Sequence, residues 1–561
     1  SGPRPGFTSV RCSFRKQDFT IRLSLILTNH DLSMLPRRAV TCLNTSRLPS
    51  KCGKAIRHSR PQRRLSSTSA SSASGAPFTV ASPAGPLASI TGELDKLTPR
   101  FDVSADDIEI LRSPSDFFET LKEKISKAQD RIYLSTLYVG KTEHELIATI
   151  RGALKANPNL KVSLLTDALR GTREEPDPSC ASLLASIIQD FGPERVEVRM
   201  YHTPNLTGIR KAILPKRINE GWGLQHMKLY GIDNEIIMSG ANLSNDYFTN
   251  RQDRYHVFKS EDITDYFYRV YRTTCDLSYR VMPSEKAGGF IMDWPAQNVQ
   301  PAPLEDREAY IQSATKAFQP LVKATSNVSA SDKTTDTQVY PLLQLTPLSK
   351  PDSSTELPAL TNILRKLSTP GFEGSKWTFT AGYFNMTPEV RQLLLDSKPS
   401  SATVVAASPW ANGFYGSKGI SGMLPAAYTY LSRQFLDSVS AAGFSNQIAV
   451  KEWRKGTVNT PGGWTYHAKG IWITLPGQEN PSISLVGSSN YTKRSYSLDL
   501  EANTMIVTSN PDLQRRLGEE EKWLQEYAST MKRDDYAKTE RRVGLHVRIA
   551  MWIVTLVGGA L

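Results

Sequence analysis

Cysteine is scarce in this chain of 561 residues: there are five, and Cys12, Cys42 and Cys52 fall within the first 75. Only Cys180 and Cys275 remain in the body, without metal-ligand spacing, so a disulfide framework and a cysteine-based zinc site are excluded. Long apolar runs are missing as well. No stretch reaches the roughly 18 consecutive apolar residues of a membrane-spanning helix. Acids nearly vanish from residues 1–75, where Asp18 and Asp31 face fourteen Lys and Arg. That segment carries almost all of the formal charge of +13, leaving 54 basic and 53 acidic residues elsewhere. The body therefore lacks the broad basic track of a nucleic-acid binder. An ATP phosphate loop is also absent. Gly140-Lys141-Thr142 resembles the end of one, but Ser135 stands where the pattern needs glycine.

What is present begins with the basic leader. Residues 1–75, rich in Arg and Ser, have the composition of a disordered mitochondrial transit peptide. Met34 suits the start of a compact presequence, and Arg63-Arg64-Leu65-Ser66-Ser67 suits a processing region. Ser66–Pro99 is rich in Ser, Ala, Pro and Gly, so residues 76–101 are expected to be a linker and folded sequence to begin near Asp102.

From there strands and helices alternate, which predicts an α/β fold. Helices are expected at Asp116–Gln129 and Glu143–Ala156, with strands at Arg131–Val139 and Lys161–Thr166. The pattern restarts with strand Trp377–Tyr383, helix Pro388–Asp396, strand Ala402–Ala407, helix Ala426–Ala442 and strand Gln447–Glu452. Arg515–Tyr527 reads as a closing helix. Two similar lobes follow, residues 102–300 and 301–535, the second with a disordered Ser/Thr-rich insertion near 323–357. In the tail, 536–561, Arg541, Arg542 and Arg548 lead into the apolar run Ile549–Leu561. That run is too short to span a bilayer easily, and an interfacial anchor and a core helix both fit it.

The body holds five histidines outside leader and tail, and two sit in matching contexts. One is His226-Met227-Lys228, the other His467-Ala468-Lys469. His-x-Lys in an alternating apolar run predicts both side chains on one face of a strand. Downstream, Ser239-Gly240-Ala241-Asn242 corresponds to Gly487-Ser488-Ser489-Asn490. Each Asn is followed eleven residues later by an acid, Asp253 or Glu501.

This set suits displacement at a phosphodiester. One histidine attacks phosphorus and the other protonates the leaving oxygen. Lys228, Lys469, Asn242 and Asn490 can hold the nonbridging oxygens, and an acid behind each imidazole can fix its tautomer. The scheme requires no cofactor and no metal, and leaves divalent-ion stimulation open. Arg170, Arg173, Arg251 and Arg254 are candidate phosphate or diphosphate contacts, each equally explained as a solvated charge, and Lys216, Arg217 and Arg494 take the same two readings. His202 is as well explained by a structural role, and His144 and His256 have no matching context.

The paired motif resembles the phospholipase D superfamily, whose pattern is HxKxxxxD. His226, Lys228 and Asp233 match it fully, making Asp233 a candidate catalytic residue. In the second copy Thr474 stands where Asp is expected. The flanks, among them Tyr201-His202-Thr203-Pro204, Tyr247-Phe248-Thr249-Asn250-Arg251-Gln252-Asp253 and Gly382-Tyr383-Phe384-Asn385, are similar to the eukaryotic mitochondrial phosphatidylglycerophosphate synthases. The resemblance covers roughly residues 105–530. It implies two phospholipase D-like lobes around one central site. It also implies transfer of phosphatidyl from CDP-diacylglycerol to sn-glycerol 3-phosphate, in the cardiolipin pathway, at the matrix side of the mitochondrial inner membrane. A phospholipid hydrolase uses the same residues with water as acceptor, and a nucleic-acid phosphodiesterase fits the neutral body less well. His226, with the complete motif, is expected to be the nucleophile.

Overall fold

Local chemistry sets the first elements. In the computed structural model, which describes residues 85–213, 216–328 and 335–556, Ser113 opens the helix Pro114–Lys127. Its hydroxyl accepts from Asp116 N, while the Asp116 carboxylate accepts from Ser113 N, a reciprocal cap that satisfies two free amides. The helix buries Phe117, Leu121 and Ile125 against the first of two large sheets. The leader, 1–75, lies outside the described residues.

The first sheet has nine strands. At its centre Arg131–Ser135, Lys161–Asp167 and Val196–Tyr201 run parallel, as strands joined by helical crossovers do. On the other flank Leu229–Ile232, Glu235–Ser239, Tyr255–Phe258 and Ile108–Leu111 follow antiparallel. The second sheet has ten strands and repeats this order. Lys376–Ala381, Ser401–Ala407 and Ile448–Trp453 are parallel. Lys469–Thr474, Ile483–Gly487, Glu501–Thr508 and Thr337–Gln344 complete the antiparallel side. One apolar cluster joins the lobes, with Met238, Phe258 and Phe267 packed together with Trp472, Ile506 and Leu517.

Two expectations about the chain are corrected. The stretch expected to be linker contains the helix Pro86–Leu94, whose Ile90 and Leu94 are buried in the second lobe's core. Arg100–Val103 also joins the second sheet, pairing with Thr337–Gln344. The expected insertion near 323–357 is mostly structured. Ser326–Val328 pairs with Arg100–Asp102, and Thr337–Gln344 is a buried strand at the sheet's interior. Residues 329–334 lie outside the description. The tail forms the helix Leu545–Leu556, and among the described residues no helix is long and apolar enough to cross a membrane.

Candidate active site

The histidines are held by an exchange of backbone between lobes. Segment 224–226 lies alongside 498–500: Leu500 N donates to Leu224 O, and His226 N donates to Leu500 O at 2.9 Å. The mirror exchange sets Thr465–Tyr466 beside Arg251–Gln252, with His467 N donating to Gln252 O at 2.8 Å. Each histidine thus sits at the mouth of its strand rather than within it, since the regular strands begin at Leu229 and Lys469.

This exchange crosses the acids over. His226 Nδ1 donates to Glu501 Oε2 at 2.9 Å, and His467 Nδ1 donates to Asp253 Oδ2 at 2.6 Å. With the proton on Nδ1, each Nε2 carries a lone pair, and that of His467 lies 3.4 Å from the Tyr247 hydroxyl. Both histidines line one cleft of about 360 Å³ between the lobes.

The lysines stand behind the imidazoles rather than in the cleft wall. Lys228 Nζ donates to His226 O at 2.7 Å. Lys469 Nζ lies 3.3 Å from Asp253 Oδ2 and 2.8 Å from His467 Nδ1. Because Nδ1 already donates to the carboxylate, Lys469 donates to Asp253 and acts on the imidazole as a neighbouring charge. A methyl group added at Gly240 would come within 2.3 Å of Lys469 Nζ, so the small turn before Asn242 makes room for the other lobe's lysine. The corresponding Ser488 donates to Glu501 Oε2 at 2.5 Å.

Burial sets the charges. Burial, reinforced by Lys228, holds His226 well below the usual imidazole range, and burial with Lys469 does the same for His467. Glu501 is pushed by burial up to about 7, against the pull of Lys228. Burial also presses on Asp253, but Lys469 and His467 outweigh it and hold this carboxyl below its ordinary value. Lys228 is brought down by burial to about 7.

The remaining candidates divide. Asn242 and Asn490 line the cleft, and Asn490 Oδ1 has no partner among the described residues. Arg170, Arg173 and Arg251 also line it. Arg170 stacks on Tyr138, Arg173 pairs with Glu220, and Arg251 pairs with Asp246 while its Nε donates to Thr465. Arg254 does not reach the cleft. It is fully buried, forked onto Glu520 at 2.9 and 2.7 Å, and lies over Trp472. Its neighbour Arg251 faces the cleft while Arg254 turns into the interlobe core. Asp233 is likewise remote. It sits in the turn after Leu229–Ile232 with a left-handed φ of 49° and accepts from the amides of Gln129, Asp130 and Arg131.

Three residues at the site, Tyr247, Tyr383 and Glu356, were given no role from sequence. Tyr247 and Tyr383 present ring edges to His467, and Tyr247 Oη receives a hydrogen bond from Asn242. Arg494 lines the cleft beside Asp499, with Nε donating at 2.8 Å. Glu356, fully buried, is pushed by burial up to about 8 with Glu501 nearby. Arg494, four residues after Asn490, is the sequence candidate for a phosphate contact that the cleft does contain.

Comparison with known proteins agrees with this geometry. Residues 121–273 match the family model described as cardiolipin synthase, PLD-like domain. CDP-diacylglycerol–glycerol-3-phosphate 3-phosphatidyltransferases of Saccharomyces pastorianus and Saccharomyces cerevisiae are 44% and 43% identical, over 80% and 83% of this chain and 88% and 91% of theirs. The Homo sapiens mitochondrial protein of that name is 34% identical, over 81% of this chain and 83% of its own length. The crystal structure of phosphatidylserine synthase from Haemophilus influenzae superposes with a TM-score of 0.64 at 20% identity, covering 84% of this chain and 97% of that one, a likeness of fold. With its duplicated α/β lobes and paired histidines on one interlobe cleft, the chain belongs to the CDP-diacylglycerol–glycerol-3-phosphate 3-phosphatidyltransferase family, built on the phospholipase D-like fold.

Proposed function

We propose that the chain transfers the phosphatidyl group of CDP-diacylglycerol to sn-glycerol 3-phosphate, releasing CMP and forming phosphatidylglycerophosphate. The observation that carries this reading is the pair of Nδ1-anchored histidines on one cleft in a chain so similar to relatives of that name. In the first half-reaction His226 Nε2 bonds to the phosphorus bearing diacylglycerol, and the P–O bond to CMP breaks. His467, protonated at Nε2 once the substrate's anionic charge is bound, gives its proton to the departing oxygen. In the second, His467 takes the proton of a glycerol-phosphate hydroxyl as that oxygen attacks phosphorus, and the His226–phosphorus bond breaks.

The unequal acids support this assignment. Asp253, held firmly ionised, suits an imidazole that must carry a proton in turn. Glu501, with a raised pKa, leaves His226 neutral and nucleophilic. Arg170, Arg173, Arg251 and Arg494 are proposed to hold the diphosphate and the acceptor's phosphate, with Asn242 and Asn490 at the nonbridging oxygens. Lys228 and Lys469 supply positive charge from behind.

The mammalian relatives are named as mitochondrial, and the basic leader suits the same destination, with the matrix side of the inner membrane as the working surface. The tail helix is proposed as an interfacial anchor: Leu545, Ile549 and Trp552 are exposed on one stripe, following Arg541 and Arg542.

The test is to incubate purified protein with CDP-diacylglycerol, with and without glycerol 3-phosphate, and follow CMP and lipid products. Phosphatidylglycerophosphate formed only with acceptor is expected. Phosphatidic acid in its place would establish a hydrolase.

A further inference from the structure

The cleft mouth carries two tips that the chemistry does not use. The first is the pair of short helices Gly208–Ile213 and Lys216–Asn219. Glu220 and Leu224, which line the cleft, follow directly. The second is the turn Gly419–Met423, flanked by cleft residues Ser417 and Leu424. Each tip presents large aliphatic side chains to solvent: Ile213 is 73% exposed, Ile218 48% and Ile420 66%. Isolated exposed isoleucines are ordinary. Three on two segments that are far apart in sequence and that each run into residues lining one cleft are not.

The charge around them is mainly basic. Residues 207–220 hold Arg210, Lys211, Lys216 and Arg217 against the single acid Glu220, with Lys216 paired to Glu175, and residues 413–424 hold Lys418 and no acid. The body as a whole is balanced, so this is a local excess. Apolar tips among basic residues complement a surface that is anionic outside and apolar beneath. Aliphatic tips give no stacking platform for bases.

We propose that these two tips dock the cleft mouth onto an anionic phospholipid bilayer, with Ile213, Ile218 and Ile420 set among the lipid headgroups. The inference rests on the reading above that the donor substrate is a two-chain lipid. A docked mouth lets the diphosphate enter the cleft while the acyl chains stay in the bilayer.

The test compares the full chain with its Ile213→Ser/Ile420→Ser variant. Binding is measured by co-sedimentation with phosphatidylcholine vesicles, with and without phosphatidylglycerol. Turnover is measured on CDP-diacylglycerol in vesicles and on a short-chain, water-soluble CDP-diacylglycerol. The variant is expected to bind anionic vesicles at least about tenfold more weakly. It should lose vesicle turnover in proportion and keep short-chain turnover. Unchanged vesicle binding by the variant, or equal binding of the wild type to neutral vesicles, would overturn the proposal. So would an equal loss on both substrates, which would assign the isoleucines to the site itself. A wild-type protein that binds anionic vesicles in this tip-dependent way but turns over neither substrate would refute the proposed reaction and leave the docking face standing.

Discussion

Exchanging Glu501 for glutamine tests the crossed pairing most sharply. Glu501 accepts from His226 Nδ1 at 2.9 Å, and Ser488 donates to the same oxygen. A glutamine of the same shape can turn its NH2 toward Nδ1. The imidazole then moves its proton to Nε2 and loses the lone pair aimed at phosphorus. The equivalent carboxylate-to-amide exchange behind a serine-protease histidine costs about ten-thousandfold. The structure predicts a fall in kcat of about a thousandfold to ten-thousandfold for Glu501→Gln, or roughly 4–5.5 kcal/mol, with KM nearly unchanged. The pH profile carries a second signature. Glu501 titrates near 7, so wild-type kcat should fall as pH drops below about 7, when the carboxylate takes up a proton. The variant's residual activity should lack that limb. Stability moves the other way. Burial raises Glu501 from 4.5 to about 7, so its contribution is fully present below pH 4.5 and is lost as pH rises through 7. At pH 8 that amounts to about 3 kcal/mol, and Glu501→Gln should unfold at higher denaturant than wild type there. A variant within threefold of wild-type kcat, with the acid limb intact, would refute the reasoning.

Other substitutions separate site from scaffold. Gly240→Ala should push Lys469 off Asp253 and cut kcat at least about tenfold, with a melting temperature close to wild type. Arg254→Ala breaks a fully buried pair with Glu520 and should cost about 3–5 kcal/mol in denaturant unfolding, while the folded fraction keeps its KM. Asp233→Ala removes the acceptor of three backbone amides, so it should lower stability by about 1–3 kcal/mol and leave kcat within about threefold.

The differing fates of these residues mark what a sequence can carry. His226, Lys228, Asn242 and their partners near His467 were legible because the duplication prints one local pattern twice. The pairing of acids was not, since Glu501 meets His226 across 275 residues and only the exchanged backbone segments bring them together. Arg251 and Arg254 look alike in sequence, and the turn of chain at Asp253 sends one to the cleft and the other into the core. Asp233 completes a motif by position yet serves a turn, a role its neighbours at 129–131 define. Alternating strands and helices were readable from periodicity, down to Pro388–Asp396. Pro86–Leu94 was not, because a nine-residue helix draws its stability from burying Ile90 and Leu94 on a distant lobe. The strand Thr337–Gln344 was masked by the Ser/Thr-rich residues before it.

Rapid quenching of the enzyme with phosphorus-labelled CDP-diacylglycerol in the absence of glycerol 3-phosphate tests the central claim most directly. The account predicts an acid-labile, alkali-stable phosphatidyl adduct that maps to His226, is lost in His226→Ala, and passes to glycerol 3-phosphate when the acceptor is added. An adduct on His467, or full transfer by the His226→Ala enzyme, would contradict it.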